Sequence, residues 1–400
     1  MKKLLLITIV ALSFNANAQW VQQTSSTTNS LNEVFFVNAD TGYAVAMHNL
    51  APAIIKTVNG GANWTNLYSS STSFYSVFFY NANVGYVGCG LSQILKTVDG
   101  GATWTGGNIN CCANGYNSIY ATTATNAVVV GGDGAGNGAL FRTTTGGVNW
   151  TATAITPTGM FDLNCVHFPT LTTGYVVGNQ GTMLKTINAG ANWAYITPSV
   201  ITQYHSVFFT DSLTGYAVGQ GGTIIKTVNG GSSWTSQISG TAITPLYDVF
   251  FVNSSEGYIC GGGGLVLKTI NGGANWIAQV STTTLDLHSI HFPTSCIGYS
   301  VGTGSVIIKH SCSTTSINEN NFNSFELYPN PTTAQTTINF AVEQKNTTIR
   351  ITDVLGKEIK TINFTGKQLT IEKGELKQGI YFVQTTDEQK NICNRKVVIQ

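Results

Sequence analysis

The stretch KTVNGGANW at residues 56–64 decides the fold, because it returns five more times along the chain. Each copy joins a basic residue, a threonine, a turn rich in small residues and a final tryptophan: KTVDGGATW (96–104), RTTTGGVNW (142–150), KTINAGANW (185–193), KTVNGGSSW (226–234) and KTINGGANW (268–276). Successive tryptophans stand 40–46 residues apart. Self-similarity at a period of this size is the sequence signature of a repeat architecture.

A second block precedes every copy of the turn and occurs once more after the last copy. Its members are VFFVNADTGYAV (34–45), VFFYNANVGYVG (77–88), IYATTATNAVVV (119–130), VHFPTLTTGYVV (166–177), VFFTDSLTGYAV (207–218), VFFVNSSEGYIC (249–260) and IHFPTSCIGYSV (290–301). Each unit therefore holds four short β-prone segments separated by turn residues: VFF (A), GYAV (B), IIKT (C) and a segment beginning at the tryptophan (D). Four strands in about 40 residues predict one blade of a β-propeller.

The seventh unit keeps VIIK (306–309) but lacks the turn and the tryptophan. The N-terminal segment WVQQTSSTTNSL (20–31) is similar to WIAQVSTTTLDL (276–287). We therefore predict that Trp20 opens a strand that completes blade seven, closing the ring and removing an exposed sheet edge. The predicted fold is all-β, with a seven-bladed propeller at residues 19–312.

The two ends of the chain differ from the repeats. Residues 1–18 combine Lys2 and Lys3, an apolar run and a small-residue site at 16–18, which is typical of a cleavable signal peptide. No later stretch has eighteen uninterrupted apolar residues, so we expect no membrane span. After Cys312, residues 313–324 have the composition of a polar linker. Alternating segments at 325–400 predict a small Ig-like β-sandwich.

The charge pattern excludes some classes of partner. Charged residues make up 9% of the chain and the net charge is +1, so neither nucleic acid nor an anionic membrane is an expected partner. The propeller has seven basic residues, all at the end of segment C: Lys56, Lys96, Arg142, Lys185, Lys226, Lys268 and Lys309. With one in each blade they cannot converge on one ligand, and we expect them to be solvated strand ends.

Two families resemble parts of this sequence. The repeated turn resembles the Asp box of BNR repeats, and residues 97–104 (TVDGGATW) fit its pattern at every position. The whole repeat, clearest at 207–234, is similar to photosystem II stability/assembly factors. That resemblance implies a seven-bladed, non-enzymatic scaffold that binds protein.

The C-terminal residues resemble the type A C-terminal sorting domain of the type IX secretion system. The matching segments are YPNP (328–331), DVLGK (353–357), GIYFV (379–383) and RKVVIQ (395–400). The resemblance implies that residues 325–400 bind the type IX secretion machinery. The protein would then be secreted or attached to the outer-membrane surface after its signal peptide is removed.

We interpret the repeated turn as structural. Asn59 or Asp99 can accept backbone hydrogen bonds, glycines allow positive φ, and the tryptophan can pack between sheets with its N–H near a polar edge. A phosphate loop would need a following helix, and calcium would need more carboxylates, so we expect no metal and no cofactor. The residues assigned to these turns are Thr57, Asn59, Gly61, Trp64, Thr97, Asp99, Gly101, Trp104, Trp150, Trp193, Trp234 and Trp276.

Ligand binding is expected on the opposite face, where residues entering segment A surround the axis. These residues are Asn32, Tyr75, Asn117, Asn164, His205, Tyr247 and His288. Polar and aromatic groups around a funnel can hold a protein or glycan, and a hydrated tunnel mouth is the alternative. We expect His167 and His291, one strand step further in, to pack or bond internally. The spacing of the histidines does not fit a zinc motif.

Catalysis is not expected. Sialidases of this shape need three arginines on the substrate carboxylate, and the propeller has only Arg142. Glu33 and Asp248 lie at equivalent places in blades one and six, so the alternative of a surface glycan hydrolase or lyase would use this pair. A structural adhesin with no single ligand is a further alternative. Cys296 and Cys312 lie at the same end of blade seven and predict a disulfide.

Overall fold

The computed structural model describes residues 20–46, 52–109, 115–133, 136–153, 155–156, 161–312, 325–354, 356–374, 376–388 and 392–400. Within these residues the secondary structure consists of β-strands and four 3₁₀ turns, without an α-helix. They fall into two compact units, the propeller up to Cys312 and the tail at 325–400. The predicted signal peptide (1–18) and linker (313–324) lie outside the described residues.

The propeller contains seven sheets, and in each of them the four strands of the blade are antiparallel to their neighbours. Strand β1 (Trp20–Gln23) comes first in the chain but belongs to the last blade. Blade one consists of β2 (Leu31–Phe36), β3 (Gly42–Ala46), β4 (Ala53–Thr57) and β5 (Thr65–Ser69). Blade two consists of β6 (Phe74–Phe79), β7 (Gly85–Cys89), β8 (Gln93–Thr97) and β9 (Thr105–Asn108). Blade three consists of β10 (Gly115–Ala121), β11 (Ala127–Gly132), β12 (Gly138–Thr143) and β13 (Thr151–Ala152).

Blade four carries an additional short strand, β14 (Ile155–Thr156), which pairs in parallel with its outermost strand. Blades four to seven otherwise contain β15 (Leu163–His167), β16 (Gly174–Gly178), β17 (Met183–Thr186) and β18 (Trp193–Tyr195); β19 (Tyr204–Phe209), β20 (Gly215–Gly219), β21 (Ile224–Thr227) and β22 (Thr235–Gln237); β23 (Leu246–Phe251), β24 (Gly257–Gly261), β25 (Val266–Thr269) and β26 (Ile277–Gln279); β27 (Leu287–His291), β28 (Ile297–Gly302) and β29 (Ile307–Ser311). The 3₁₀ turns are Asn179–Gly181, Gln220–Gly222, Gly262–Gly264 and Thr303–Ser305.

Strand β1 closes the ring as the sequence predicts. It pairs antiparallel with β29, with Trp20 opposite His310 and Gln23 opposite Ile307. Blade seven therefore has four strands, in the order β1-β29-β28-β27. The seven-bladed prediction is confirmed, and the first and last parts of the propeller share one sheet.

The hydrophobic core is divided into layers between adjacent blades. The blade-four tyrosine Tyr175 stacks on Phe209 of blade five at a centroid distance of 3.8 Å, and Trp234 meets the same ring edge-on at 6.0 Å. Equivalent stacks join Tyr216 to Phe251 and, across the closure, Tyr299 to Phe36. Each repeat therefore supplies half of two layers and cannot bury its apolar faces alone.

The glycine of the Gly-Tyr pair makes room for this layer. A Cβ atom on Gly215 would lie 2.5 Å from the ring of Phe209. We expect Gly215→Ala to lower the free energy of unfolding by about 1–3 kcal/mol, because overpacking forces the ring out of place. Denaturation followed by tryptophan fluorescence measures this loss. The control Ser212→Ala, in an exposed turn of the same blade, should change little; equal effects of the two variants would contradict the packing role.

The repeated turn is closed by its threonine as well as by its Asn or Asp. Thr57 Oγ1 accepts hydrogen bonds from the N–H groups of Asn59 and Gly61, and Asn59 Oδ1 accepts one from Asn63. Gly61 has a φ of 80°, in the left-handed region. The indole N–H groups differ from expectation, because six have no partner within the described part of the chain: those of Trp20, Trp64, Trp104, Trp193, Trp234 and Trp276.

The basic residues also differ from the expected solvated ends, because they bridge neighbouring blades. Lys56 Nζ donates to the carbonyl of Gly100 at 2.8 Å, and Tyr43 Oη donates to the same oxygen. The corresponding group in the other blades reaches the next turn in the same way, as Lys309 does to Gly60 across the ring closure. Half-burial and a carbonyl partner make these residues inter-blade clamps.

The basic residue of blade six, Lys268, has a different partner. The sequence of blade seven lacks the repeated turn, and Lys268 reaches no such carbonyl among the residues that the structure describes. It pairs instead with Glu256 of its own blade at 2.7 Å, and Tyr258 Oη donates to the same carboxylate oxygen. The salt bridge therefore replaces a missing backbone partner.

Cys296 and Cys312 form a disulfide at this degenerate end of blade seven, with Cα atoms 4.8 Å apart. Because the bond closes a loop of about 16 residues, replacing both cysteines by serine should lower the free energy of unfolding by about 2–4 kcal/mol. Chemical denaturation measures the change, and Cys393→Ser in the tail is the control. Detection of two free thiols at these positions in secreted protein would refute the pairing.

The tail forms one five-stranded antiparallel sheet. Its strands are β30 (Phe325–Tyr328), β31 (Gln335–Asp353), β32 (Glu358–Glu372), β33 (Gly379–Thr386) and β34 (Ile392–Ile399). The register of β31 breaks between Asn339 and Thr347, so its first half lies beside β30 and its second half beside β33. Both halves bury side chains in one core, including Ile338 and Ile349. The unit is thus all-β as predicted, and its five strands belong to a single sheet.

Candidate functional site

The central channel begins with the seven residues predicted to surround the axis, here called the mouth ring. All seven line one cavity of about 280 Å³: Asn32, Tyr75, Asn117, Asn164, His205, Tyr247 and His288. They converge because each occupies the same position near the start of the innermost strand of its blade. The structure therefore brings together a set that is spread over more than 250 residues of sequence.

Four mouth-ring residues already hold neighbouring blades together. Asn32 Nδ2 donates to the carbonyl of Phe74 at 2.9 Å, and Asn117 and Asn164 make equivalent bonds to Leu163 and Tyr204. His288 Nδ1 lies 3.0 Å from the carbonyl of Leu31 across the closure, so this nitrogen is the donor. These polar groups therefore already have hydrogen-bond partners within the propeller.

The remaining mouth-ring residues are aromatic. Tyr247 lies between His205 and His288, with ring centroids 5.2 and 5.6 Å away, and Tyr75 faces them from blade two. Burial lowers the pKa of His205 to about 4, and burial also lowers that of His288 against the effect of its bond to Leu31. Both imidazoles are therefore neutral near pH 7. Tyr75, His205 and Tyr247 therefore offer uncharged aromatic surfaces at the mouth.

A second ring lies one residue further in, because each innermost strand has a β-bulge there. The register shifts occur at the same place in every blade, as between Leu31 and Glu33 or between Leu246 and Asp248. The bulge turns an additional side chain toward the channel. We call this set the bulge ring: Glu33, Ser76, Ser118, Cys165, Ser206, Asp248 and Ser289.

The bulge ring satisfies backbone groups of the next blade. Ser118 Oγ accepts the N–H of Val166, and Ser289 Oγ accepts that of Val34 across the closure. Glu33 Oε2 accepts the N–H of Val77 at 2.6 Å in the same manner. Since a buried N–H without a partner is costly, these side chains have a structural task.

Glu33 and Asp248, the pair considered for catalysis, reach the wall of the same cavity. Asp248 accepts hydrogen bonds from Ser206 Oγ at 2.7 Å and from the N–H groups of Val249 and Ile290 at 2.9 Å. Both side chains expose part of their surface to the channel while protein encloses them on the other sides. Both carboxylates therefore have a structural role, because each accepts at least one backbone N–H group.

Burial is the main cause of the pKa shifts of Glu33 and Asp248. Burial raises the pKa of Glu33 well above its usual range, against the hydrogen bond from Val77, and the charge of Asp248 raises it further. Burial raises the pKa of Asp248 to about 6, against the hydrogen bonds that it accepts. Near pH 7, Asp248 is therefore the principal negative charge in the channel.

The lower channel is lined by a closed ring of aromatic side chains, here called the aromatic belt. Its members are Phe35, Phe78, Tyr120, His167, Phe208, Phe250 and His291. Every neighbouring pair has centroids 4.6–5.4 Å apart, and the last member, His291, returns to Phe35 at 4.7 Å. The belt lines a cavity of about 370 Å³ that adjoins the mouth cavity.

The two belt histidines act as ring members. His167 Nδ1 accepts the N–H of Phe209, and His291 Nδ1 accepts that of Phe36, both at 3.4 Å. Burial lowers the pKa of each to about 3, so both are neutral. They bond internally, as their position in the repeat led us to expect.

Two known protein families match different parts of this chain. Residues 12–164 and 193–285, more than half of the chain, match the family described as photosynthesis system II assembly factor YCF48. The chain belongs to this YCF48 family. Residues 326–400 match the secretion system C-terminal sorting domain. Both resemblances drawn from the sequence are confirmed.

Solved structures agree with the YCF48-family fold. YCF48 bound to D1 peptide has a TM-score of 0.62 and 20% identity, over 74% of this chain and 96% of that one. YCF48 from Cyanidioschyzon merolae has a TM-score of 0.61 and 19% identity, over 74% and 99%. PorZ, an essential bacterial surface component of the type-IX secretion system of Porphyromonas gingivalis, has a TM-score of 0.56 and 13% identity, over 94% and 60%. At these identities the likeness concerns the fold.

One curated protein also matches a short part of the chain. The endo-acting ulvan lyase of Formosa agariphila is 33% identical over 75 residues, which are 18% of this chain and 14% of the lyase. The chain thus matches about a seventh of that enzyme's length. A match over so little of the lyase gives no basis for assigning its activity to this chain.

The tail of this YCF48-family chain belongs to a family of sorting domains. A C-terminal sorting domain of this type implies contact with the type IX secretion machinery and a destination outside the cell or at the outer-membrane surface. The described residues contain no candidate for a membrane-spanning helix.

Proposed function

We propose that the protein is a non-enzymatic binding module of the cell surface, which holds a protein or glycan at the mouth ring. In this proposal residues 1–18 are removed as a signal peptide, and the tail then directs passage through the outer membrane. The observation that carries it is the use of the channel's polar groups. Four mouth-ring residues bond to neighbouring blades and both carboxylates accept backbone N–H groups, while Tyr75, His205 and Tyr247 present aromatic surfaces to the mouth cavity.

Two further observations support binding rather than chemistry. Tyr75, His205 and Tyr247 give flat, half-buried surfaces, the kind of contact that sugars and peptide side chains use. A relative of the same fold has been solved with a bound peptide, namely YCF48 with D1 peptide. We infer that this chain likewise presents its propeller to a macromolecule.

Binding to glycan and peptide arrays tests the proposal. The mature wild-type chain should bind a defined class of probes, and Tyr247→Ala should weaken that binding about tenfold or more, because a central aromatic anchor is lost. Val228→Ala, which changes an exposed residue of a repeated turn at the opposite end of the blades, is the matched control. Equal binding by both variants would place the ligand elsewhere, and an array without signal would favour an adhesin with no single ligand.

A glycan lyase or hydrolase is the second candidate, favoured only by the short match to the ulvan lyase. Such an enzyme would use Glu33 and Asp248. Their backbone hydrogen bonds and raised pKa values are explained by their place in the bulge ring. We therefore keep this function as the alternative to be excluded by assay.

A further inference from the structure

The lower channel combines an acidic surface with an aromatic one. Glu33 and Asp248 lie at the upper wall of the cavity of about 370 Å³, and the aromatic belt forms the lower wall. The six bulge-ring residues that line this cavity also line the mouth cavity, so a small molecule has a route from the mouth. The cavity is thus acidic at one end and apolar at the other.

The acidic end has no counter-charge nearby. None of the described residues that line either cavity is a lysine or arginine. The propeller's basic side chains are held at the other ends of the blades, as Lys56 is by Gly100 and Lys268 is by Glu256. The four channel histidines are neutral because burial lowers their pKa values. A negative, partly enclosed site of this kind concentrates cations.

The carboxylates retain the capacity to bind a donor. Glu33 uses Oε2 for the N–H of Val77, and no described residue donates a hydrogen bond to its Oε1. Asp248 Oδ2 accepts the N–H of Ile290, which uses one of its two lone pairs. An ammonium group could therefore donate to Glu33 and Asp248 while the bulge ring stays intact.

The belt below them suits a hydrocarbon or aryl group. Its members are half-buried and form a continuous aromatic wall, interrupted only by neutral imidazoles and the hydroxyl of Tyr120. Among the described residues no cluster of three His, Cys, Asp or Glu could hold a metal ion, so the acids are better matched to an organic cation.

We propose that the channel binds a small amphiphilic organic cation, with its ammonium group at Glu33 and Asp248 and its apolar body within the aromatic belt. The site lies below the mouth ring and does not depend on a macromolecule bound there. A propeller with no partner at its mouth would still bind this ligand, and loss of mouth binding in Tyr247→Ala need not abolish it.

Calorimetry with three probes of matched shape tests the proposal on the mature full chain. Phenethylammonium is the cation, 2-phenylethanol its neutral counterpart and 3-phenylpropanoate its anionic counterpart. We expect the cation to bind about tenfold or more tightly than the alcohol, because it alone forms charge-assisted hydrogen bonds. The anion should bind most weakly. Equal affinities for cation and alcohol, or no measurable binding of the cation at millimolar concentration, would overturn the proposal.

Two variants with the same change in net charge locate the site. Asp248→Asn removes the principal negative charge of the channel while its amide oxygen can still accept a backbone N–H, and it should reduce cation affinity to that of the alcohol. Asp286→Asn removes an acid outside the channel, where its oxygen accepts the N–H of Gly263, and it should leave both affinities within about twofold. Equal losses in the two variants would indicate long-range attraction only and would refute the site.

A pH series on the wild type serves as the second measurement if Asp248→Asn does not fold. Cation affinity should fall from pH 7.5 to pH 5 as Asp248 takes up a proton, while the alcohol's affinity stays constant. The titratable groups facing the two cavities are Glu33, Tyr75, Tyr120, Cys165, His167, His205, Tyr247, Asp248, His288 and His291. A cation affinity that is independent of pH over this range would contradict the assignment.

Discussion

Replacing Trp20 by alanine should lower the free energy of unfolding of the propeller by about 3–5 kcal/mol, the usual cost of truncating a fully buried tryptophan. Trp20 is 0% exposed and packs against Phe292 at 6.0 Å and His310 at 5.1 Å. It also opens β1, whose four residues are the N-terminal contribution to blade seven. Its loss would therefore leave a cavity at the point where the ring closes.

Denaturant unfolding followed by tryptophan fluorescence measures this effect. All seven tryptophans lie within the propeller, so the signal follows that unit and not the tail. The matched control is Val21→Ala, since Val21 is the next residue of the same strand and is 50% exposed. If Trp20→Ala cost no more than Val21→Ala, β1 would not be what closes the ring.

Deleting residues 325–400 should abolish passage across the outer membrane and leave the propeller folded in the periplasm. The tail is a compact unit with its own core, and the inter-blade layers of the propeller contain no tail residue among those described. The sorting domain is thus expected to be necessary for export and unnecessary for folding.

Fractionation of cells and medium measures the location of the protein, and protease resistance of the periplasmic fraction shows whether the propeller is folded. The intact chain in the same cells is the control. Undiminished export of the shortened chain would show that another part of the protein directs secretion. Degradation in place of accumulation would show that the propeller needs the tail for stability.

The blade number and the ring closure could be predicted from sequence because both follow from a repeated pattern. The tryptophans count the blades, and the similarity of residues 20–31 to 276–287 identifies the missing strand. The mouth ring was predictable for the same reason, since His205 and His288 occupy one position in their repeats. Periodicity within a chain carries this information without any knowledge of side-chain contacts.

Contacts between repeats were harder to predict from the sequence. The side chain of Lys56 has its partner in the turn of the next blade, at Gly100, and nothing near it in sequence indicates that partner. The β-bulge that turns Glu33 and Asp248 inward is a feature of backbone register, which the sequence does not reveal. In the sequence the two acids therefore resembled a catalytic pair, whereas in the structure they accept N–H groups of neighbouring blades. The aromatic belt could not be predicted, because Phe35, in the middle of VFF, has the sequence pattern of an ordinary core residue.

The measurement that tests the proposed function most directly is an assay of the mature chain for both retention and cleavage of polysaccharides, including ulvan. We predict that any bound polymer is recovered at its original length, and that Glu33→Gln and Asp248→Asn do not alter this outcome. Shortened products that form with the wild type and disappear in both variants would contradict a non-enzymatic propeller and assign the channel to catalysis.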